Sequence, residues 1–320
     1  MLNKDCLKIA ILGATGHIAK SLVVGLSSFK HYELFLFART QERLVSFLFE
    51  NNINDKTHIR DYKQFQDLDT YNVIINCIGV GNPEDLLRNP FSVFQITEQY
   101  DNMILQYIQK NPDTIYINLS SGAAYGSDFE QPATNTKLLN LNINNLSLKD
   151  YYGISKLNME AKHRSLESFK IVDLRIFGFF SAFIDMKSKF LLTEVIEHVW
   201  MRKVLNTSSE NILRDYVHPE DFLSLVQSCM DENIHNGVYD VYSLKPATKF
   251  DILDYFAREH GLKYEVDTRY TYDSITGSKT NYYSLNSDAS TIGYLPSYTS
   301  IESIESGYQQ LRMRNKNENN

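Results

Sequence analysis

The first half of the chain alternates short apolar runs with longer segments of helical period, and this alternation restricts the possible folds more than any other feature. Runs that are apolar throughout are typical of strands in a parallel sheet covered on both faces. The spacing predicts strands at residues 7–12, 33–37, 73–78, 115–119 and 171–176, and helices at residues 18–29, 42–51, 93–109 and 151–168. The sequence therefore predicts an α/β fold with a Rossmann-like doubly wound parallel sheet.

The second half has a looser pattern, which predicts a smaller C-terminal lobe. Because 320 residues exceed the usual size of one core, we expect two closely packed units. Residues 1–178 are expected to form a dinucleotide-binding domain, and residues 179–320 mainly a substrate-binding lobe, with residues 215–243 returning to the first unit. Further elements expected here are a surface excursion at residues 131–149, helices at residues 190–201, 221–231 and 249–260, and a strand at residues 237–242.

The composition excludes several classes of protein. The formal net charge is −7 at pH 7, which argues against a nucleic-acid partner because such proteins usually present a basic face. No stretch approaches the roughly 20 apolar residues that span a bilayer, and the N-terminal segment lacks the apolar core of a signal peptide. We therefore expect a cytoplasmic protein without a membrane partner. The three cysteines, Cys6, Cys77 and Cys229, lie far apart and suggest neither a metal site nor a disulfide.

A glycine turn directly follows the first predicted strand. Gly13 permits the tight turn, Gly16 lets the backbone approach a pyrophosphate, and Ala19 keeps the following helix close to the sheet. The helix N-terminus adds free N–H groups and positive potential. This order predicts a bound dinucleotide, whereas a simple tight turn is the alternative interpretation. The residues expected to contact the cofactor here are Gly13, Thr15, Gly16, His17 and Ile18.

The residues after the second predicted strand favour NADP(H), with NAD as the other possible cofactor. An acidic residue there would bind the ribose 2′-hydroxyl of NAD. The chain instead has Ala38 and then Arg39, whose guanidinium suits a 2′-phosphate; a solvated surface charge is the alternative. Asp61 is placed to accept a hydrogen bond from the adenine amino group or to cap a turn. Ile78 and Gly79, at the end of the third predicted strand, complete the expected cofactor contacts.

Tyr152 and Lys156 lie one helical turn apart and share one helix face. A phenol with a pKa of about 10 is a poor acid–base catalyst at neutral pH, but a neighbouring ammonium favours the phenolate. With 21 tyrosines in the chain the spacing alone is a weak signal. Ser121 strengthens it, because it follows a predicted strand and such strand ends border the ligand crevice. Ser121 is expected to donate to the substrate oxygen that Tyr152 protonates, with a turn-capping role as the alternative.

The ordered set of motifs resembles the extended short-chain dehydrogenase/reductase family, the NAD-dependent epimerase/dehydratase group that acts on nucleotide sugars. The resemblance covers nearly the whole chain, and no single motif decides it. It implies a catalytic triad of Ser121, Tyr152 and Lys156. The segments that carry it are residues 13–19, 118–126, 152–160, 174–178, 214–221 and 292–296.

The resemblance also implies a substrate site and an oligomeric state. It places Arg214 on the phosphates of a nucleotide-sugar substrate, with an ion pair to Asp215 or Asp221 as the structural alternative. It places Gly122 and Tyr125 at the sugar pocket, with core packing as the alternative for Tyr125. Members of the family are often homodimers, which pair the helices that here contain residues 100–109 and 151–168.

Departures from the family pattern narrow the expected reaction. Gly122 and Ala123 stand where dehydratases carry an Asp-Glu pair, so dehydration is disfavoured. Residues 93–97, Val-Phe-Gln-Ile-Thr, stand where the family often has an asparagine, and Gly178 replaces another common asparagine. With Arg39 favouring NADPH, we expect NADPH-dependent reduction of a keto group on a nucleotide-linked 4-keto-6-deoxy sugar, as in polysaccharide biosynthesis. An NAD-dependent nucleotide-sugar epimerase is the alternative within the family, and a noncatalytic dinucleotide-binding sensor or scaffold is the alternative of another class.

Overall fold

The computed structural model describes residues 6–53, 55–66, 69–80, 83–267 and 279–318. The strands are β1 (Leu7–Leu12), β2 (Tyr32–Phe37), β3 (Thr57–Arg60), β4 (Val73–Asn76), β5 (Ile115–Ser121), β6 (Ile171–Ile176), β7 (Val204–Thr207), β8 (Leu213–Arg214), β9 (Gly237–Val241), β10 (Ala247–Thr248), β11 (Lys263–Val266) and β12 (Asn281–Tyr282). The helices are α1 (His17–Ser27), α2 (Gln41–Glu50), α3 (Pro83–Arg88), α4 (Ser92–Lys110), α5 (Leu148–Arg164), α6 (Leu191–Met201), α7 (Pro219–Ser228), α8 (Lys249–His260) and α9 (Ser300–Glu318). Within these residues, no helix has the length and apolar character needed to cross a lipid bilayer.

The central sheet has seven strands in the order β3-β2-β1-β4-β5-β6-β9. Every neighbouring pair in it is parallel. The direction of strand addition reverses between β1 and β4, which opens a crevice at the carboxyl ends of the strands. The predicted fold class, a Rossmann-like doubly wound parallel sheet, is therefore confirmed.

The strands divide the core of this sheet between two faces, as β1 illustrates. Ile9 and Ile11 belong to one hydrophobic cluster, and Ala10 and Leu12 belong to another. Successive side chains of a strand point to opposite faces, so a strand with a helix layer on each side must be apolar throughout. The helix α1 adds four side chains to the first cluster: Ala19, Leu22, Val23 and Leu26.

A separate hydrophobic cluster lies in the C-terminal half of the chain. Helices α6, α8 and α9 pack together there, alongside two small sheets with the strand orders β10-β8-β12 and β11-β7. The strand β9 instead pairs with β6 at the edge of the central sheet, and α7 packs on the first cluster. The main contributors to the separate cluster are Leu192, Val195, Ile196, Ile252, Leu253, Phe256, Ile304, Tyr308 and Leu311.

Some elements differ from the sequence-based expectation. The strand predicted at residues 73–78 ends at Asn76, whose side-chain oxygen accepts a hydrogen bond from the Ile78 N–H at 3.0 Å. The edge strand β3 was not predicted, because its residues are only half-buried and form no apolar run. The last helix, α9, was also missed, since its sequence is largely polar and only a few of its side chains enter the C-terminal cluster.

A buried ionic network holds α5 against the sheet below the end of β5. Glu160 of α5 accepts hydrogen bonds from Arg175 of β6 at 2.6 Å and from Ser120 of β5 at 2.5 Å. Arg175 lies 4.4 Å from the centre of the Tyr125 ring, and the Tyr125 hydroxyl donates to Asp240 of β9 at 3.0 Å. Buried charges are tolerated when they are paired and hydrogen-bonded in this way. The network therefore fixes β5 and α5, which carry the predicted catalytic residues.

Candidate active site

The turn after β1 leaves no room for a side chain at Gly13. This residue has a φ of +73°, and a Cβ atom there would lie 3.0 Å from the Ile78 side chain and 3.1 Å from the Cys77 carbonyl. The helix α1 begins directly after the turn, so its first N–H groups lack partners within the helix. The residues present therefore fit the pyrophosphate of a dinucleotide, which favours close backbone and helix N-termini. Thr15 and Ile18 are partly exposed in this turn, and Gly16 is exposed.

His17, another predicted cofactor contact, connects the turn to the second half of the chain. Its Nε2 atom accepts a hydrogen bond from the Ser181 N–H at 3.1 Å, and its ring meets the Phe179 ring edge at 5.3 Å. Burial lowers the pKa of His17 to about 4. A neutral imidazole brings no positive charge to a phosphate, so its observed contacts are structural ones.

The two residues predicted to contact the adenosine half of the cofactor lie on the surface. Arg39 is exposed directly after β2, and its guanidinium has no salt bridge with another described residue. Asp61 is exposed after β3, where its carboxylate accepts a hydrogen bond from the Lys63 N–H at 2.8 Å. Asp61 thus caps a short 3₁₀ turn, which was the alternative interpretation of this residue.

Tyr62 is a residue of this region that the sequence analysis missed. Its hydroxyl accepts a hydrogen bond from the Gly13 N–H at 3.0 Å and donates to the Phe37 carbonyl at 3.1 Å. Burial raises the pKa of Tyr62 to about 12, so the phenol keeps its proton. It joins the ends of β1 and β2 beside the glycine turn of residues 13–16, called the cradle below. No sequence motif predicts such a contact.

The Lys156 side chain lies beside the segment that follows β4, at the edge of the crevice. Its side chain is 2% exposed, and its Nζ atom donates to the Leu119 carbonyl at 2.9 Å. A Cβ atom built on Gly79 would lie 3.7 Å from this Nζ atom. Ile78, the other predicted contact on this segment, borders Gly13. The cradle and the predicted catalytic lysine therefore belong to one site.

The helix α5 carries both Tyr152 and Lys156, and its start is fixed by a capping box. The Ser147 N–H and hydroxyl both donate to the Asp150 carboxylate at 3.0 Å. The Lys156 Nζ atom lies 6.0 Å from the centre of the Tyr152 ring. Tyr152 is partly exposed on this face of the helix.

Gly153 lets α5 approach the segment that follows β5. A Cβ atom at this position would lie 2.4 Å from the Ala123 carbonyl oxygen, a distance that no side chain tolerates. The close approach brings the start of α5 against residues 122–125. Tyr152 is therefore held on the same side of the crevice as Ser121.

Ser121 ends β5 and begins the 3₁₀ turn of residues 122–125. Its Oγ atom accepts a hydrogen bond from the Ala123 N–H at 3.2 Å and lies 3.2 Å from the Tyr282 hydroxyl. The capping role considered for Ser121 is thus present, and it leaves the hydroxyl proton available. Tyr282 is a site residue that the sequence analysis did not single out.

Two residues predicted at the sugar pocket are enclosed. A Cβ atom on Gly122 would lie 2.4 Å from the Phe177 ring, so no larger residue fits there. Tyr125 is 8% exposed, and its hydroxyl binds Asp240, which agrees with the core-packing alternative.

Two cations border Tyr282 in the C-terminal half of the chain. Arg214 of β8 is the register partner of Tyr282, and its Nη1 atom donates to the Lys279 carbonyl at 2.5 Å. The Lys279 Nζ atom lies 4.4 Å from the centre of the Tyr282 ring. Burial, with a contribution from Arg214, lowers the pKa of Lys279 to about 8. Two basic side chains therefore border Tyr282, and Lys279 is a third residue, after Tyr62 and Tyr282, that the sequence analysis missed.

The two carboxylates considered as structural partners of Arg214 both accept hydrogen bonds elsewhere. Asp215 accepts from the Ser243 N–H at 3.1 Å. Asp221 accepts from the N–H groups of Ser297 at 3.0 Å and Tyr298 at 3.1 Å. Among the described residues, no group of three or more His, Cys, Asp or Glu side chains could hold a metal ion.

Comparison with known proteins assigns the family. The model of the NAD dependent epimerase/dehydratase family matches residues 9–242. The chain belongs to this family. The resemblance inferred from the motifs is therefore confirmed. No curated protein matches the chain at a significant level.

Solved structures of epimerase/dehydratase enzymes share the fold. UDP-glucuronic acid 4-epimerase from Bacillus cereus, in complex with UDP-glucuronic acid and NAD, is 17% identical with a TM-score of 0.79, over 96% of this chain and 100% of that one. UDP-glucose 4-epimerase from Thermotoga maritima is 16% identical with a TM-score of 0.79, over 96% and 99% of the two chains. dTDP-glucose 4,6-dehydratase from Bacillus anthracis, in complex with NAD, is 14% identical with a TM-score of 0.76, over 97% and 98%. At these identities the likeness concerns the fold.

Proposed function

We propose that this epimerase/dehydratase family member is an NADPH-dependent reductase of a keto group on a nucleotide-linked sugar, a 4-keto-6-deoxy sugar being the expected substrate. The observation that carries the proposal is the convergence of Ser121, Tyr152 and Lys156 beside the glycine cradle. Lys156 lies next to Gly79 on the cofactor side, and α5 is pressed against the segment that Ser121 begins.

Proton transfer is the part of the reaction that these residues perform. When bound, the nicotinamide dinucleotide supplies the hydride. Tyr152 donates a proton to the oxygen of the reduced carbon, and the Lys156 ammonium lowers the free energy of the resulting phenolate. Ser121 donates a hydrogen bond to the same oxygen and holds the carbonyl in position.

Arg39 supports NADP(H) as the cofactor, with NAD as the alternative. It is exposed at the end of β2, where an acidic residue would be needed to bind the 2′-hydroxyl of NAD. A guanidinium in that position can bind a 2′-phosphate through two parallel hydrogen bonds. Net reduction consumes NADPH, so the preferred cofactor and the proposed reaction agree.

The basic side chains of Arg214 and Lys279 support a substrate with an anionic nucleotide part. Both cations border the ring of Tyr282, whose hydroxyl lies 3.2 Å from Ser121. A sugar placed against Ser121 and Tyr152 would then extend its diphosphate toward these two side chains.

Epimerisation at C4 is the second candidate function. It is favoured by the solved structures described above: two of the three are 4-epimerases, and one of these two was determined with NAD. The same three residues would move the proton of the sugar hydroxyl, while the hydride would pass to a bound NAD and return after the keto intermediate has rotated. Dehydration is less consistent with the site, because Gly122 has no room for the carboxylate that dehydratases carry there.

The proposal is tested by NADPH oxidation with CDP-, GDP-, UDP- and dTDP-linked 4-keto-6-deoxy sugars. We expect turnover with at least one of them, and Tyr152→Phe to lower kcat about 100-fold or more while NADPH binding is retained. Tyr151→Phe is the matched control, since Tyr151 is also partly exposed but packs against Phe94.

The other outcomes point to different functions. Isomerisation of UDP-glucose without net NADPH oxidation would replace the reductase by the epimerase. Tight dinucleotide binding without turnover of any nucleotide sugar would favour a sensor or scaffold, and unchanged turnover in Tyr152→Phe would remove this residue from the reaction.

A further inference from the structure

Tyr282 reaches Ser121 from a separate part of the fold. It lies on β12, in the small sheet with β8 and β10, whereas Ser121 ends a strand of the central sheet. The Tyr282 ring is held between Phe129, at 4.7 Å, and Phe177, at 5.2 Å between ring centres. Its side chain is buried, so the hydroxyl has a fixed position against the Ser121 Oγ atom.

The hydrogen-bond donors around this contact determine its direction. A serine hydroxyl has one proton to donate and two lone pairs that accept. The Ala123 N–H donates to the Ser121 Oγ atom at 3.2 Å. This N–H also approaches the Tyr282 oxygen, again as a donor, so it gives the phenol proton no acceptor.

The phenol proton needs an acceptor because it is buried. Burial raises the pKa of Tyr282 well above its ordinary range, and the phenol stays protonated. Among the described residues, the Ser121 Oγ atom is the acceptor within hydrogen-bond distance of the Tyr282 hydroxyl. A buried donor left without an acceptor costs about 1–3 kcal/mol. The arrangement of lowest free energy therefore has Tyr282 donating to Ser121.

We propose that Tyr282 is a positioning residue that fills the acceptor capacity of Ser121 and thereby directs the Ser121 proton toward the substrate oxygen. The inference rests on the proposed function, in which Ser121 touches that oxygen. Tyr282 itself transfers no proton. The orientation of the catalytic serine thus depends on a side chain supplied by the C-terminal half of the chain.

The first test replaces Tyr282 by phenylalanine, which keeps the ring and removes the hydroxyl. We expect kcat to fall about tenfold while KM and the Kd for NADPH stay within about twofold, since one oriented hydrogen bond is lost in the transition state. Tyr283→Phe is the matched control: Tyr283 is the next residue, and its hydroxyl has no hydrogen bond to a described residue. An unchanged kcat in Tyr282→Phe would overturn the proposal.

The second test is a double-mutant cycle with Ser121→Ala. If Tyr282 acts through Ser121, adding Tyr282→Phe to Ser121→Ala should lower kcat by less than about twofold. Multiplicative losses would show that Tyr282 acts independently, and the positioning role would be wrong. Full turnover in Ser121→Ala would show that Ser121 has no role in catalysis. If the wild-type protein turns over no nucleotide sugar, the proposed function itself is wrong. Equal melting temperatures of the variants exclude loss of folding as the cause.

Discussion

In the proposed reaction, Lys156 connects cofactor binding with proton transfer. Its side chain is 2% exposed, and a buried ammonium needs acceptors for its protons. The Leu119 carbonyl accepts one hydrogen bond from Lys156 at 2.9 Å, and in the proposed reaction the other N–H groups bind the ribose and the Tyr152 oxygen. The four-residue spacing of Tyr152 and Lys156 is common by chance, so its significance comes from this backbone contact and from the proximity of Gly79.

Arg39 provides a prediction at the scale of one residue. If it binds a 2′-phosphate, Arg39→Ala should raise the Kd for NADPH about tenfold or more and leave the Kd for NADH nearly unchanged, because hydrogen bonds to charged groups contribute about 1.5–3 kcal/mol. Fluorescence titration of the two cofactors measures both values. Arg43→Ala is the control, since Arg43 is equally exposed on the neighbouring helix. Equal losses for NADPH and NADH would contradict the role of Arg39.

The helix α5 carries the proposed catalytic pair and two residues of buried ionic networks on one face. Tyr152, Lys156, Glu160 and His163 follow one another at intervals of four, four and three residues, which places them on the same side of a helix. The first two meet the crevice, and Glu160 binds Arg175 of the sheet. A shift of α5 along the sheet would therefore move the catalytic pair and break buried ion pairs at the same time.

His163 lies at the centre of a second buried network. Its Nε2 atom is 2.7 Å from Asp101, and its Nδ1 atom is 2.9 Å from Asp173. Burial opposes the charged imidazole, but the carboxylates of Asp173 and Asp101 outweigh it and raise the pKa of His163 to about 9. Lys162 pairs with Asp101 at 2.6 Å, and Arg164 pairs with Asp173 at 2.8 Å.

This network predicts a pH dependence of stability at the scale of the element. The pKa of His163 is higher in the folded state than the ordinary value of 6.5, so its stabilising contribution is complete below pH 6.5 and is lost as the pH rises through about 9. One pKa unit corresponds to about 1.4 kcal/mol, so we expect the free energy of unfolding to fall by roughly 3 kcal/mol over this range. Urea unfolding at a series of pH values measures it.

His163→Asn should remove the decrease in the free energy of unfolding between pH 6.5 and 9. It should also lower the free energy of unfolding at pH 6. The matched control is His58→Asn, because His58 is partly exposed and pairs with Glu33 near the surface. A wild-type protein whose stability does not change between pH 6.5 and 9 would contradict the assignment of a charged His163.

At the scale of the whole molecule, the candidate site combines residues from both halves of the chain. Ser121, Tyr152 and Lys156 belong to the central sheet and its helices, whereas Arg214, Lys279 and Tyr282 belong to the C-terminal half. His17 adds a direct hydrogen bond from the cofactor turn to Ser181. The proposed reaction therefore depends on how the two halves of the chain pack together.

The homodimer expected from the family resemblance gives the prediction at this scale. Apart from Ala161, the exposed positions of α4 and α5 are polar, so we expect concentration-dependent dimerisation rather than an obligate apolar interface. Sedimentation velocity from low to high micromolar concentration measures it. The exposed positions concerned are Gln95, Glu98, Gln99, Asn102, Gln106, Asn158 and Ala161.

Ala161→Arg should weaken the dimer, because it places a long charged side chain in the middle of the expected interface. Gln310→Arg, at an exposed position of α9 outside the expected interface, is the control. A chain that is monomeric at all concentrations, or a dimer that tolerates Ala161→Arg, would exclude this interface.

The sequence by itself determined the fold class, since buried parallel strands must be apolar on both sides and that requirement is local. The bounds of β1 and β6 agree with the predicted ones for this reason, and the bounds of the helix α8 agree as well. The order of the cradle, Ser121 and the Tyr152–Lys156 pair was sufficient to indicate the family. Elements with few buried residues, such as β3 and α9, were missed, because their stability comes from docking onto other elements.

Only the tertiary structure decided which polar side chains meet. Tyr282 reaches Ser121 across 161 positions of sequence, and Tyr62 reaches Gly13 across 49. In the structure the Tyr125 hydroxyl also donates to Asp240, and Arg39 is exposed to solvent. Hydrogen bonds between distant segments depend on the packing of whole layers, and no periodicity or spacing in the sequence encodes that packing.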